Sequence, residues 1–287
     1  MIRTKSLKIY YENEIGQKAS ISFGGIYHLI DFSEDLQNSI TTSKQNLIHG
    51  TKFISNTLGE RSINIEIAIF NLSENINAIY ELRRIFNPAL KGILTAEENG
   101  KKRNIEVCVE SLAELKKEKG YFKYSINLIA CNPFWEDEVK TEYLAMLTPT
   151  LKFPLVIPQK KGITFGRRRS VLESEVENIG DVESGFKVIF KAKGGTVKNP
   201  KIYDVYSNNF IKINYTMEKG DILEVINYPE IKKITLNGAE NAFKYLDVES
   251  NFFNLKIGNN KIGYIADENT INLDVILWYA PRYLGVF

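Results

Sequence analysis

RSINIEIAIFNLSENINAIYELRRIFNP, residues 61–88, contains the change of period on which the fold class turns. At its start Ile63, Ile65, Ile67 and Ile69 fall on one side and Asn64, Glu66 and Ala68 on the other, the alternation of a half-buried strand. Ser73 then supplies an N-cap oxygen with Glu74 behind it, and Ile76, Ile79, Tyr80, Arg83 and Phe86 recur at three- and four-residue spacing. The spacing predicts a helix over about 73–86. Asn87-Pro88 ends it, because proline has no N–H to give and drives the preceding residue out of the helical region.

Downstream, Gly92–Ala96 and Arg103–Leu112 read as two strands, joined through Asn99-Gly100 by a loop longer than the tightest hairpin. Tyr121–Ala130 alternates again and runs straight into Cys131-Asn132-Pro133-Phe134-Trp135. Upstream, Ser43–Gly59 is too long for a simple hairpin loop and reads as an arm that orders against a neighbouring subunit. Between Glu136 and Arg169 the periodicity fades among Pro149, Pro154, Pro158, Gly162 and Gly166, and a linker is expected there. Its apolar residues Leu151, Phe153, Leu155, Val156 and Ile157 favour packing on the first domain over a free tether. From Ser170 onward short β segments follow one another at Glu173–Asn178, Phe186–Lys193, Phe210–Tyr215, Ile222–Asn227, Lys232–Leu236 and Ile271–Tyr279. Asn237-Gly238, before Phe243-Lys244-Tyr245, carries the signal of a type I′ turn. The reading is therefore mainly β: a first domain over 1–138 with one helix, a linker over 139–169, and a β-sandwich over 170–287.

A length of 287 residues suits two domains. Thirty-seven basic and 35 acidic residues leave a formal charge of +2, which provides no broad field to attract nucleic acid or anionic lipid. Arg167-Arg168-Arg169 is the one dense basic run, and Glu173, Glu175 and Glu177 follow it closely enough to make an ion-paired segment the plainer reading than a polyanion contact. Cys108 and Cys131 have no CxxC spacing and are expected as free buried thiols. No apolar run nears the roughly 20 residues that span a bilayer. Met1–Tyr11 interleaves Arg3, Lys5 and Lys8 with apolar residues, unlike a signal peptide, so the product is expected to begin in a cytoplasm.

No catalytic, cofactor-binding or metal-ligating set emerges. His28 and His49 stand in no HExxH or paired-His spacing, and Gly24-Gly25 and Gly194-Gly195 match no phosphate-binding loop. Asp31, Glu34 and Asp35, or Glu136, Asp137 and Glu138, contain enough carboxylates for a glycosidase, but such clusters arise by chance among 35 acidic residues. Tyr203, Tyr206, Tyr215, Tyr228, Tyr245, Tyr264 and Trp278 leave open a carbohydrate-binding module or adhesin recognising host wall glycans. Most lie at alternating strand positions, where core or subunit-interface packing accounts for them as well.

Several stretches, in order along the chain, resemble the siphophage distal tail protein (Dit) family. They are His49-Gly50-Thr51-Lys52-Phe53 leading to Arg61-Ser62-Ile63; Phe86-Asn87-Pro88 with Leu94; Cys131-Asn132-Pro133-Phe134-Trp135-Glu136, similar to the family's Pro-aromatic-aromatic close of the first domain; Asn178-Ile179-Gly180-Asp181; Phe186–Phe190; Asn199-Pro200-Lys201-Ile202; and Trp278-Tyr279-Ala280-Pro281-Arg282-Tyr283-Leu284-Gly285-Val286. His49 stands where the family commonly has an Asp-Gly loop. The resemblance implies an N-terminal β-sandwich or split barrel with one flanking helix, forming a hexameric ring, and a C-terminal galectin-like β-sandwich. It further implies a structural subunit of the virion tail tip that joins the tail tube to a tail-associated lysin or fibre and to receptor-binding proteins. DNA would meet it only in transit through the lumen, with no membrane contact, no cofactor and no enzymatic role.

Overall fold

The computed structural model describes residues 3–44, 49–70, 72–118, 120–145, 147–149, 166–168 and 173–286. It forms two compact units, Met1–Asp137 with Tyr283–Phe287, and Glu138–Arg282. Two features differ from the expected division: Lys140–Ala145, assigned above to the linker, is a strand of the second unit, and Tyr283–Phe287 belongs to the first. The apolar stretch Leu151–Ile157 lies outside the described residues.

The first unit runs α1 (Arg3–Ser6), β1 (Lys8–Asn13), β2 (Lys18–Ser22), β3 (Tyr27–Ser43), β4 (Lys52–Phe70), α2 (Leu72–Ile85), β5 (Lys91–Glu98), β6 (Lys101–Glu118), β7 (Tyr121–Ala130) and β8 (Trp135–Glu136). Pairings β1–β2–β3–β4–β7–β6–β5–β1 close a barrel, and all are antiparallel except the short β2–β3 pair. Ile63, Ile65, Ile67 and Ile69 point inward and meet Ile9, Ile21, Leu94, Val107, Tyr124, Ile126 and Leu128. Full burial of each such side chain contributes roughly 1.5–3 kcal/mol. Helix α2 packs on this core through Ala78, Ile79, Leu82 and Ile85, and Phe86 just beyond it stacks on Tyr11 at 4.3 Å between centroids. The buried stripe is offset from the expected one: Tyr80 and Arg83 are exposed, because Leu82 and Ile85 bury more apolar surface without stranding a hydroxyl or a charge. Asn99 and Gly100 both have positive φ and form a two-residue turn with Glu98 opposite Lys101, so this hairpin is the tightest kind and not the longer loop expected.

Most of Ser43–Gly59, read above as a loop, is strand. β3 and β4 pair from His28↔Ala68 to Ser43↔Lys52, with register shifts after Leu29, Leu36 and Thr41. β7 follows β4 only as far as Arg61, and β2 pairs β3 only at Tyr27 and His28. Beyond Leu36 and Arg61 the hairpin is therefore a two-stranded ribbon with no further ladder partner among the described residues. Eight residues from Leu36 to Ser43 extend about 27 Å at about 3.4 Å per residue. Neither ribbon face is covered, so the sequence has no alternation there to reveal it.

The second unit runs β9 (Lys140–Ala145), β10 (Leu147–Pro149), β11 (Gly166–Arg168), β12 (Glu173–Asn178), β13 (Phe186–Ala192), β14 (Val197–Asp204), β15 (Phe210–Lys212), β16 (Thr216–Met217), β17 (Ile222–Asn227), β18 (Lys232–Leu236), β19 (Glu240–Asn241), β20 (Gly258–Glu268) and β21 (Leu273–Tyr279). One sheet has the order β19-β18-β17-β13-β21-β9 and the other β12-β20-β14-β15, with β16 beside β14. Their facing sides share a core of Phe186, Val188, Phe190, Val225, Ile234, Val275 and Leu277 with Val176, Ile202, Ile211, Ile262 and Tyr264. This is a β-sandwich. In β9 a bulge opposite Val275/Ile276 breaks the alternation and buries the successive residues Leu144 and Ala145, which is why the strand escapes a period-two reading. Phe243–Tyr245 is a 3₁₀ turn and not a strand; Asn241 Oδ1 accepts the Phe243 N–H at 3.0 Å and starts it.

Candidate functional site

At the root of the ribbon, the chain gathers one buried guanidinium and the groups that hold it. Arg61 on β4 is 1 % exposed. Its Nε donates to the Pro133 carbonyl at 2.6 Å, one terminal nitrogen to Glu34 Oε2 at 2.9 Å and the other to the Leu284 carbonyl at 2.6 Å. Glu34, on β3, accepts from the fully buried Trp135 Nε1 at 2.7 Å through the same oxygen and from the Val286 N–H at 3.1 Å through the other. Nearby, Arg103 donates to the Gly285 carbonyl at 2.7 Å and lies 3.5 Å above the Tyr283 ring. The Tyr283 hydroxyl reaches Asp137 at 3.5 Å; burial first, then the Asp137 charge, raises its pKa. Both oxygens of Glu34 are thus occupied by structural donors, which removes it from the carboxylate cluster considered above for glycoside hydrolysis. Residues 283–286 are held here by charged side chains from β3, β4 and β6, and this explains their membership of the first unit.

Two features of the sequence prepare this arrangement. Pro133 stops β7 from continuing and turns its own carbonyl toward Arg61, while Trp135 covers the core and keeps its N–H for Glu34. Asn132 and Phe134 flank them, both partly buried. Gly50 sits in the turn of the ribbon at φ +94, where a side chain would be strained. Pro88 is exposed in the turn after α2, beside Asn87, whose Oδ1 accepts the Ala89 N–H at 3.0 Å.

Within the second unit, Asn178 donates to the carbonyls of Val182 at 2.9 Å and Leu255 at 3.1 Å and accepts the Gly180 N–H at 3.0 Å. Gly180 lies against the Arg282 backbone, where a Cβ would come within 2.5 Å of the carbonyl oxygen. The Asp181 N–H donates to that same carbonyl at 2.8 Å. Buried Arg282 approaches Glu230 at 3.5 Å, and Pro281 before it is buried too. Asn199, at φ +52, donates to Asp267 at 2.8 Å, and the Pro200 carbonyl accepts the Ile213 N–H at 3.0 Å. Trp278 stands opposite Lys187 in register, with the ammonium 3.9 Å from its ring. Of the other aromatics considered for glycan stacking, Tyr264 is core, Tyr215 and Tyr245 pack on each other at 4.9 Å, and Tyr206 is exposed.

The structure therefore brings Arg61, Pro133, Trp135, Tyr283 and Gly285 together in one place and Asn178, Gly180 and Arg282 in another. Gly50, Pro88, Asn199, Pro200 and Trp278 serve separate turns and strands. Sequence reasoning missed Glu34 as the partner of Arg61, and Arg103 altogether. Among the described residues no group of three or more His, Cys, Asp and Glu is placed to hold a metal, and no helix is long and apolar enough to cross a membrane. On the ribbon, Ile40, Phe53 and Ile54 are each more than half exposed. Side chains of Arg167–Arg169 lie outside the described residues.

Comparison with known proteins places both units. Residues 17–130 match the model of the phage tail protein RIFT-related domain, and residues 179–283 match that of the siphovirus-type tail component, C-terminal domain. No curated protein matches the sequence. Among solved structures, the chain shares its fold with SPP1 Dit, described as a paradigm of the hub adsorption apparatus in Gram-positive infecting phages, at a TM-score of 0.70 and 12% identity, covering 96% of this chain and 99% of that one. It is also similar to a chain of the phage P2 baseplate in its activated conformation with calcium, at a TM-score of 0.55 and 12% identity, covering 98% and 99%, and to the strontium form at 0.53 and 12%, covering 96% and 97%. With a tail-protein barrel domain followed by the sandwich of siphovirus-type tail components, the chain belongs to the siphophage distal tail protein family.

Proposed function

We propose that this protein is the distal tail, or baseplate hub, subunit of a tailed phage or prophage, acting in the virion at the tail tip. Its first unit assembles into a hexameric ring that joins the tail tube to a tail-associated lysin or fibre and to receptor-binding proteins. Its work is to hold partners in place, without catalysis.

The observation that carries the ring is the ribbon. Soluble proteins protect free strand edges with charge, proline or a cover. Here Leu36–Ser43 and Phe53–Gly59 contain no charged residue and expose Ile40, Phe53 and Ile54. An unprotected edge of this length is expected to be covered by a neighbour. A ring closes through one repeated contact between unlike surfaces, and an arm reaching from each copy to the next supplies such a contact.

The test removes Ser39–Thr57 and joins Asn38 to Leu58, which face each other in the register, through an Asn-Gly turn. The circular dichroism of the barrel should persist while the mass by light scattering falls from hexamer to monomer. A shortened protein that still forms rings would remove the ribbon from the interface, and a full-length protein that stays monomeric at high concentration would count against the ring.

A further inference from the structure

Two thiols lie close to one end of the β6–β7 ladder, Cys108 within it and Cys131 just past the end of β7. Cys108 on β6 stands directly opposite Ile129 on β7 and opposite Lys91 on β5. Cys131 follows Ile129 by two residues and is the first residue past the end of β7. It is exposed, it lies in the bend after Ala130, and Ala130 is the last β7 residue in the ladder; Cys108 is partly buried. Lys91 donates to Glu106 at 3.1 Å. Its pKa is raised chiefly by that carboxylate.

We propose that Cys108 and Cys131 are a dithiol that closes to an intramolecular disulfide in an oxidising medium, stapling the segment that carries Pro133 and Trp135 to β6. Diagonal Cα atoms in a sheet lie about 7–8 Å apart. A disulfide spans up to about 6.8 Å, so closure requires roughly 1 Å of approach. Cys131 is able to supply it, because it lies in the bend between Ala130, the last residue of β7, and Trp135, the first of β8, and is in neither ladder. The staple forms next to the Arg61 knot, and its occurrence does not depend on the ring. Such a bond is kept open where glutathione holds thiols reduced and closes outside the cell.

The oxidant is a low-molecular-weight disulfide, oxidised glutathione. The exposed Cys131 thiolate attacks one of its sulfurs, forming a mixed disulfide and releasing one glutathione thiol. Cys108 then attacks the Cys131 sulfur and expels the second. Two protein thiols lose two electrons and two protons, and one glutathione disulfide becomes two thiols.

The experiment exposes the full chain to oxidised glutathione, alkylates remaining thiols and reads the intact mass. The wild type should go from two free cysteines to none, with the loss of two hydrogens, no retained glutathione, and reversal by dithiothreitol. Cys108→Ser should instead keep a stable glutathione adduct on Cys131. Cys131→Ser, a change at an exposed bend, should react at neither position on the timescale that consumes both wild-type thiols. A wild type that retains the adduct as Cys108→Ser does, that links chains to each other, or that leaves both thiols free would overturn the proposal.

Discussion

Arg61 meets oxygens from three separate places in the sequence, and removing it would leave Glu34 without its cation in a largely dry setting. Arg61→Ala should cost about 3–5 kcal/mol, read as a lower urea midpoint, since breaking one side of a buried pair strands the other. Arg61→Lys should recover only part of this, because one ammonium does not reproduce a planar fork of donors. An unchanged midpoint for either variant would show that the knot contributes nothing. Two buried tyrosines offer a sharper contrast. The Tyr11 hydroxyl is buried with no hydrogen-bond partner among the described residues, whereas Tyr27 donates to the Ala78 carbonyl at 3.0 Å. Tyr11→Phe should be neutral or stabilising by about 1 kcal/mol, and Tyr27→Phe should destabilise by about as much, in the same denaturant titration. Burial pushes Tyr11, Tyr27 and Tyr279 up to about 12. An unfolded tyrosine releases its proton near 10, so between these values the folded chain binds more protons. This contribution to stability is complete below about pH 10 and is lost as pH rises toward about 12. Phenolate absorbance of these three groups should therefore appear together with unfolding; early titration without loss of structure would contradict their burial. None of these pairings is encoded locally, since Arg61 lies 27 residues from Glu34 and 223 from Leu284.

Among the elements, β9 has the least conspicuous sequence and a fully buried leucine. Leu144→Ala should cost about 2–5 kcal/mol in the second unit, as deletion of core methyls does, and a cost near zero would return Lys140–Ala145 to the status of a tether. β4 was legible because a barrel interior dries one face of it, and α2 because a core covers one stripe of it, so both wrote their period into the chain. The ribbon and β9 were not legible, for opposite reasons. Along the ribbon nothing is buried and backbone pairing alone makes the strand, which the pattern of side chains does not register; in β9 a bulge buries neighbours in succession. The Asn99-Gly100 turn was marked in the sequence, but its tightness depends on β6 beginning at Lys101, and polar Lys101 and Lys102 gave no signal of a strand. Of the knot, Arg61, Pro133 and Trp135 stood out by resemblance. Arg103 did not, because an arginine near the start of a strand, though on the face of Ile105 and Val107, looks like any solvated end residue until Gly285 and Tyr283 arrive.

At the scale of the molecule, the chain leaves the first unit after Asp137 and rejoins it at Tyr283. A chain lacking Tyr283–Phe287 should keep the thermal transition of the second unit and lose stability in the first, by calorimetry, as Arg61, Glu34 and Arg103 give up their backbone partners. Equal loss in both units would mean that these residues serve the whole fold indiscriminately. Their position also sets an order in time. A ribosome produces residues 1–137 first, then every residue of the sandwich, and only afterwards the few that complete the Arg61 knot. While the sandwich is being made the barrel waits with that knot half made, and a message cut short anywhere in the sandwich yields a barrel that never receives Tyr283–Phe287. A chain that stops within the sandwich thus carries a barrel without Tyr283–Phe287, and its defect lies in the first unit although the break lies in the second.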